Sequence, residues 1–321
     1  MSQKPEIFVT RKLPKRVEDR ASRDYGARLN GPDDAPDREA LLTGAQGCDG
    51  LLVTTTDRVD RAVIEALPDR VKVIATFSVG FEHIDVAAAK DRGIVVTNTP
   101  DVLTDATADI ALLLMLGAAR RASEGERMIR AHAWDGWAPT RMLGTDLGGK
   151  VLAIVGMGRI GRAFAKRARS LGMTIHYYNR SRLSPDLEEG AVYHANAEEL
   201  LGHGDVVSLH CPLTPETRHF IDTRRIGMMK QGTILVNTAR GGVVKDDDLI
   251  AALKSGRLGS AGLDVFEGEP NLHKGYAELE NTFLLPHLGS ATLETREAMG
   301  FKALDNLDAF FAGKAPPDRI A

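Results

Sequence analysis

Three glycines follow a short apolar run in the middle of the chain, at the spacing G-x-G-x-x-G: Gly156, Gly158 and Gly161. The first glycine of such a pattern permits a tight turn, the second lets the backbone approach a pyrophosphate, and the third lets a helix pack closely on a strand. Main-chain N–H groups at the start of that helix bind anions. The predicted dinucleotide phosphate site comprises Gly156, Met157, Gly158, Arg159, Ile160 and Gly161.

The surrounding sequence favours this interpretation over an ordinary loop, which is the alternative in a chain with 32 glycines. Residues 151–155 have the length of a buried strand, and apolar residues then recur at helical spacing from Ala163 to Leu171. Gly172 ends the predicted helix, and a second strand follows over 173–178. These segments form one strand–helix–strand unit.

The residues after the second strand indicate which dinucleotide binds. NAD-selective sites place an acidic residue there to hold the ribose 2′-hydroxyl, but this chain has Asn179, Arg180, Ser181 and Arg182. A solvated basic loop is one explanation. We prefer a 2′-phosphate site, in which the two arginines supply charged hydrogen bonds and Asn179 and Ser181 supply neutral ones. The sequence thus predicts NADP as cofactor, with NADPH preferred over NADH by about a hundredfold or more.

Strands and helices alternate along the whole chain, which predicts two α/β domains. Residues 101–286 are expected to form a doubly wound parallel sheet, the Rossmann arrangement, with ligands at the carboxyl ends of its strands. Residues 1–100 and 287–321 are expected to form a smaller, flavodoxin-like α/β substrate domain. Helical patterns cover 15–29, about 104–132 and 293–311. The second of these predicts one long helix, between the domains or at a dimer contact.

Composition argues against several classes of protein. The net charge of −3 gives no reason to expect nucleic acid or a membrane surface as partner. The most apolar window, 110–119, is about half as long as a bilayer span. Because the only cysteines are Cys48 and Cys211 and the N-terminus does not resemble a signal peptide, we expect a cytoplasmic protein without disulfides. We predict no metal ligands.

Residues 133–149 contain both tryptophans, Trp134 and Trp137, among several glycines. A loop of this composition needs another surface to lie on. That surface is either a partner subunit, as in a homodimer, or a small local core.

The chain resembles the D-2-hydroxyacid dehydrogenase family over essentially its whole length, and within that family the glyoxylate/hydroxypyruvate reductases. The resemblance implies reduction of a small 2-oxo acid, glyoxylate or hydroxypyruvate, to the D-2-hydroxy acid with hydride from NADPH. Besides the glycine motif it rests on Ser78–Asp85 (SVGFEHID), Asn237–Gly241 (NTARG), Gly262–Pro270 (GLDVFEGEP) and Pro286–Thr292 (PHLGSAT).

The resemblance also implies a catalytic triad of Arg240, Glu269 and His287. Arg240 would bind the substrate carboxylate and polarise the carbonyl with its planar charged fork. His287 would donate the proton, because imidazole titrates near the working pH, and Glu269 would fix its tautomer. The main-chain N–H groups of Val79 and Gly80 would hold the substrate carboxylate, with Ser290 nearby. The further implied cofactor contacts are Thr107, Cys211, Pro212, Thr217, Thr238, Ala239, Asp264 (at the nicotinamide amide) and Gly289.

Several alternatives stay open. A dehydrogenase of the same family could take a bulkier 2-oxo acid, and Cys211 could be a small buried apolar residue. A dinucleotide-sensing corepressor has the same fold, although we see no disordered regulatory tail. A methyltransferase with a glycine-rich loop would leave Arg240, Glu269 and His287 unexplained.

Overall fold

The computed structural model describes residues 4–31 and 33–321 and divides the chain into two compact units. The smaller unit comprises Met1–Leu103 and Ala291–Ala321, and the larger unit Thr104–Ser290. These borders lie three and four residues beyond the predicted ones, after residue 103 rather than 100 and after 290 rather than 286.

The smaller unit is built on a five-stranded parallel sheet. Its strands are β1 (Glu6–Val9), β2 (Gly26–Leu29), β3 (Gly50–Val53), β4 (Val73–Thr76) and β5 (Val95–Thr97), and its first helices are α1 (Lys15–Asp24), α2 (Arg38–Gly44), α3 (Arg61–Ala66) and α4 (Val86–Asp91). The strand order is β2-β1-β3-β4-β5, as in flavodoxin-like sheets. Every residue of β3 and β4 is buried, because helices cover both faces of a parallel sheet.

The helical pattern predicted over 15–29 is wrong in its second half. The helix ends at Asp24, and Gly26–Leu29 form β2. This segment pairs in parallel register with β1, Gly26 opposite Glu6. Pairing with a distant strand supplies hydrogen bonds that helical spacing alone does not reveal.

The larger unit contains a seven-stranded sheet in which every pair of neighbouring strands is parallel. Its strands are β6 (Val151–Val155), β7 (Thr174–Tyr178), β8 (Val192–His194), β9 (Val206–Leu209), β10 (Thr233–Asn237), β11 (Leu258–Leu263) and β12 (Thr282–Leu284), and its helices α5 (Thr104–Ala119), α6 (Ala122–Arg130), α7 (Arg159–Ser170), α8 (Pro185–Glu188), α9 (Ala197–His203), α10 (Thr223–Met228) and α11 (Asp246–Lys254). The order is β12-β11-β10-β9-β6-β7-β8. The order in which strands are added reverses between β6 and its neighbour β9, and doubly wound sheets bind ligands at such a switch point.

The long helix predicted over about 104–132 is two helices, α5 and α6. The break lies at Arg121, whose φ of 54° is left-handed. The carbonyl of Ala119, the last residue of α5, accepts the N–H of Thr145 at 2.8 Å. A loop therefore supplies the hydrogen bond that the next helical turn would have made.

The chain ends with α12 (Leu293–Phe311), which has the predicted bounds and returns to the smaller unit. The Thr292 side chain caps it by accepting the N–H of Thr295. Leu304 and Leu307 are fully buried in the core beside Ile7. The predicted fold class, two parallel α/β domains with one of Rossmann type, is confirmed. Among the described residues, no helix combines the length and apolar character that crossing a bilayer requires.

Candidate active site

The glycine motif forms the turn between β6 and α7, as predicted. Gly156 has a φ of 94°, and a Cβ built on it would lie 2.7 Å from the backbone nitrogen of Cys211. A Cβ on Gly161 would lie 2.7 Å from the carbonyl oxygen of Gly156, so helix and loop are in close contact. A Cβ on Gly158 would meet no heavy atom within 4 Å, and no side chain caps α7. The start of α7 thus lacks a side-chain cap, and a helix start of this kind is suited to bind a pyrophosphate.

Asn179 supports this loop. Its Oδ1 accepts the N–H of Met157 at 2.7 Å, and the Gly156 N–H donates to the carbonyl of Tyr178 at 3.0 Å. We predicted Asn179 as a neutral donor to the cofactor. In the structure it ties the glycine turn to the end of β7.

The two arginines after β7 have different surroundings. Arg182 forms a two-point ion pair with the buried Glu188, with Nε 2.8 Å from Oε1 and a terminal nitrogen 3.0 Å from Oε2. The same carboxylate accepts the hydroxyl of Tyr177 at 2.5 Å. Arg180 and Ser181 are exposed. Of the two predicted phosphate-binding arginines, Arg182 is thus already paired with a carboxylate of the same chain, although its side chain is 64% exposed.

Four of the other predicted cofactor residues form two hydrogen-bonded pairs. The Thr107 hydroxyl donates to the carbonyl of Gly289 at 3.0 Å, and the Thr217 hydroxyl donates to the carbonyl of Pro212 at 2.6 Å. Thr107 lies on α5, and the other three lie on loops after β9 and β12. Hydroxyl groups therefore hold the loops at the carboxyl ends of the strands.

Cys211, Thr238 and Ala239 lie on the loops after β9 and β10. Burial raises the pKa of Cys211 to about 11, so this side chain is a thiol at neutral pH. The N–H of Ala239 donates to Oδ1 of Asn237 at 2.9 Å, and Oγ1 of Thr238 lies 3.3 Å from Nδ1 of His210. Cys211 thus has the character of a small buried apolar residue, the alternative considered above.

Arg240 lies on a loop that is held by the Asn237 side chain and contacts the loop at Phe266. The Asn237 side chain accepts from Ala239 and donates to the carbonyl of Arg240 at 3.0 Å. A Cβ on Gly241 would lie 1.8 Å from the backbone of Phe266, so this position requires glycine. The resulting contact between the two loops brings Arg240 near Glu269, and its positive charge helps to lower the pKa of that carboxyl.

Glu269 and His287 form a hydrogen-bonded pair. Oε2 of Glu269 lies 2.8 Å from Nδ1 of His287, and its Oε1 accepts the N–H of Phe266 at 2.7 Å. Burial alone would raise the pKa of Glu269, but these hydrogen bonds and the nearby charges outweigh it and lower the pKa below its usual value. The ionised carboxylate accepts the Nδ1 proton, which leaves Nε2 of His287 as the atom able to give a proton to a substrate.

Asp264 fixes the turn that carries His287. Its carboxylate oxygens accept the N–H groups of Leu288 at 2.6 Å and Gly289 at 2.8 Å, and its carbonyl accepts the N–H of His287 at 2.9 Å. His287 has a φ of 56°, which is rare for a residue with a side chain. We predicted Asp264 as a contact of the nicotinamide amide. In the structure it holds the proton donor in a left-handed backbone conformation.

A second histidine, His210, also follows a strand but cannot share this role. Burial lowers its pKa to about 3. Its Nε2 lies 2.9 Å from the hydroxyl of Ser208, and no described carboxylate is bonded to the ring. His210 is therefore neutral at physiological pH, and only His287 of the two has an acidic partner.

The loop after β4, in the smaller unit, presents two main-chain N–H groups. Three donors occupy its carbonyls: the Thr99 N–H donates to Ser78 at 2.9 Å, the Asn98 side chain to Val79 at 2.8 Å, and the Ser78 hydroxyl to Gly80 at 2.6 Å. The N–H groups of Val79 and Gly80 bond to no other described residue. Adjacent unpaired N–H groups of this kind bind anions. Substrate binding by the two N–H groups stays a prediction, and the sequence did not predict that Ser78 and Asn98 hold this loop.

We expect Asn98→Ala to raise KM for a 2-oxo acid about three- to tenfold with little change in kcat, because one hydrogen bond of about 1 kcal/mol that orients the loop is lost. Steady-state kinetics with varied acid and saturating NADPH measure this effect. Asn30→Ala, which removes a similar bond to the carbonyl of Thr10 at 2.8 Å, is the matched control. An unchanged KM in Asn98→Ala would show that the loop does not bind the acid.

Ser290 and the two tryptophans complete the predicted set. Ser290 is partly buried at the end of the larger unit. Trp134 and Trp137 are 59% and 82% exposed, so the alternative that they fill a local core is wrong. The homodimer stays a prediction.

The larger unit thus contains both a dinucleotide-type glycine turn and an Arg–Glu–His group, a combination that indicates a dinucleotide-dependent oxidoreductase. The family model for the D-isomer specific 2-hydroxyacid dehydrogenase NAD-binding domain matches residues 112–289. The chain belongs to this family.

Relatives with known names match almost the whole chain. A glyoxylate reductase from Thermococcus litoralis is 46% identical over 323 residues, 99% of this chain and 97% of its own. A glycerate dehydrogenase from Hyphomicrobium methylovorum is 45% identical over 312 residues, 97% of each chain. Among solved structures, an NADPH-dependent glyoxylate/hydroxypyruvate reductase from Sinorhizobium meliloti, in complex with NADP and malonate, superposes with a TM-score of 0.90. It is 31% identical, over 99% of this chain and 97% of the other.

Proposed function

We propose that the protein reduces a small 2-oxo acid, glyoxylate or hydroxypyruvate, to the D-2-hydroxy acid with NADPH. The observation that carries this proposal is the 2.8 Å pair of Glu269 and His287 with Arg240 on the adjoining loop. Named relatives that act on glyoxylate, or are called glycerate dehydrogenase, support the size of the substrate. We also propose a cytoplasmic homodimer.

The residues of the larger unit fit a dinucleotide. The turn at Gly156–Gly158 and the uncapped start of α7 would hold the pyrophosphate. When bound, the nicotinamide supplies a hydride to the carbonyl carbon. Seven further predicted cofactor residues lie on loops after β9, β10, β11 and β12, which are on one side of the switch point: Cys211, Pro212, Thr217, Thr238, Ala239, Asp264 and Gly289. Thr107 lies on α5, and residues 179–182 follow β7 on the other side.

The chain's own side chains supply the rest of the chemistry. Arg240 would bind the carboxylate and polarise the carbonyl, so that charge developing on its oxygen is stabilised. Nε2 of His287 would donate the proton that this oxygen takes up, and Glu269 would stabilise the protonated imidazole before transfer. In the smaller unit, the N–H groups of Val79 and Gly80 are proposed to bind a carboxylate.

Oxidation of NADPH on addition of glyoxylate tests the proposal. A panel of glyoxylate, hydroxypyruvate, pyruvate and bulkier 2-oxo acids, each with NADPH and NADH, ranks substrates and cofactors together. Highest kcat/KM with a bulky acid would favour a different dehydrogenase of the family. Binding of NADPH without turnover of any acid would favour the corepressor alternative.

For the cofactor, we expect wild-type protein to prefer NADPH over NADH by about a hundredfold or more and Arg180→Ala to lower kcat/KM for NADPH about 10- to 100-fold. Arg180 is exposed at the end of β7, whereas Arg182 is paired with Glu188. Arg182→Ala is therefore the comparison, with a smaller expected effect on cofactor choice. Similar kcat/KM for the two cofactors in wild-type protein would contradict the 2′-phosphate site.

A further inference from the structure

Three histidines and a glutamate that the proposed reaction does not use gather at one edge of the larger unit. His176 lies on β7 and His194 at the end of the edge strand β8. Glu199 and His203 lie one turn apart on α9 and so face the same side of that helix. The ring centroids of His194 and His203 are 5.0 Å apart, and those of His176 and His194 are 5.1 Å apart.

Three of these side chains point ligand atoms at a common point. One nitrogen of His194, one of His203 and a carboxylate oxygen of Glu199 all lie within 4.8 Å of one another. His194 is buried, whereas Glu199 and His203 are exposed. His194 is thus held within the protein, whereas Glu199 and His203 are accessible to solvent.

The buried histidine has an unused polar atom directed at this point. Nδ1 of His194 is buried and has no hydrogen-bond partner among the described residues, although Oε1 of Glu199 is 3.3 Å away. The side chain is only 5% exposed. A buried nitrogen without a partner costs free energy, so its position requires an explanation.

His176 explains how this nitrogen could serve as a ligand. Nδ1 of His176 lies 3.0 Å from Nε2 of His194. If Nε2 of His194 carries the proton and donates it to His176, the lone pair of Nδ1 is directed at Glu199 and His203. Metal-binding histidines are commonly oriented by such a hydrogen bond from their other ring nitrogen.

We propose that His194, Glu199 and His203 bind a zinc ion. Two imidazole nitrogens and one carboxylate oxygen, with a fourth position open to water, form a ligand set that zinc uses. Zinc bonds of about 2.0–2.2 Å need ligand atoms closer together than 4.8 Å. Rotation of the exposed Glu199 and His203 side chains supplies this approach.

Zinc at this site would link the edge strand to the helix that follows it. β8 has only three residues, Val192–His194, and the chain passes directly from it into α9. An ion that binds only the folded arrangement stabilises it by RT ln(1 + c/Kd), where c is the concentration of free ion, so the unfolding temperature rises with that concentration. The inference therefore concerns binding and stability and does not depend on the proposed reductase activity.

Isothermal titration of the untagged, metal-free chain with zinc chloride tests the site. We expect one equivalent to bind, and His203→Gln and Glu199→Gln each to weaken this binding by about tenfold or more. Both residues are exposed, so these variants should fold. Thermal unfolding with and without zinc should show a rise in Tm that the two variants lose.

Two further variants separate this site from other histidines. His132→Asn changes an exposed histidine with a φ of 52°, which asparagine tolerates, and should bind zinc like the wild type. His287→Asn should also bind one equivalent of zinc. This result would exclude zinc binding at the Glu269–His287 pair. Zinc binding that is unchanged in His203→Gln and Glu199→Gln, or no binding up to about 100 µM zinc, would overturn the proposal.

Discussion

Replacing His287 with alanine is expected to lower kcat for the proposed reduction of glyoxylate by NADPH about 10²–10⁴-fold, the range for removal of a general acid. The structure is consistent with this role, because Nδ1 of His287 is 2.8 Å from Glu269, which leaves Nε2 as the ring nitrogen for proton donation. The other strand-end histidine, His210, has a pKa of about 3 and cannot replace it. Stopped-flow and steady-state measurements of NADPH oxidation give the effect.

The backbone of His287 requires a second variant. Its φ of 56° strains most side chains, so alanine could shift the turn as well as remove the acid. Asparagine tolerates this conformation better, and His287→Asn should lose as much kcat as His287→Ala. NADPH binding, followed by fluorescence, should persist in both. Wild-type turnover in either variant would refute the role of His287 as proton donor.

Arg240→Lys is expected to lower kcat/KM for the 2-oxo acid about 10²–10³-fold. The planar guanidinium can bind a carboxylate and a carbonyl together, whereas an ammonium group is a single point charge. Arg240 is also oriented by a hydrogen bond of 2.7 Å to the carbonyl of Ala239. Because lysine has the same charge as arginine, the variant tests the planar geometry of the guanidinium and not its charge.

The control for this variant is Arg169→Lys. Arg169 pairs with Glu189 at 3.0 Å on the surface of the same unit, and surface pairs contribute little. Its kinetics should match those of the wild type. If Arg240→Lys retained wild-type kcat/KM, Arg240 would not act through its planar fork.

The sequence predicted the fold where a signal was local and repeated. The glycine turn of β6 and α7, and the bounds of α12, follow from apolar spacing and glycines. It failed where a distant segment decided the outcome. Residues 26–29 pair with β1, and α5 ends where the carbonyl of Ala119 accepts the N–H of Thr145. Both partners are distant in sequence, so local patterns do not reveal them.

The same distinction holds for the candidate site. Motifs identified the Arg–Glu–His group, which the larger unit then brought together. The roles of Asn179, Asp264 and Asn98 could not be predicted, because each depends on which backbone group its side chain reaches. For the same reason the sequence predicted no metal ligands, since His176, His194 and His203 become neighbours only when β7, β8 and α9 assemble.

All three catalytic candidates and the glycine turn belong to residues 104–290. The two adjacent N–H groups of Val79 and Gly80 belong to the other unit. The carbonyls of that loop are held by Asn98, Thr99 and Ser78, which are also in the other unit. The proposed proton donor and the proposed anion-binding loop are thus encoded in separate parts of the chain. An engineer who tests a new substrate range could therefore vary the loop after β4 without changing any residue of the unit that holds Arg240, Glu269 and His287.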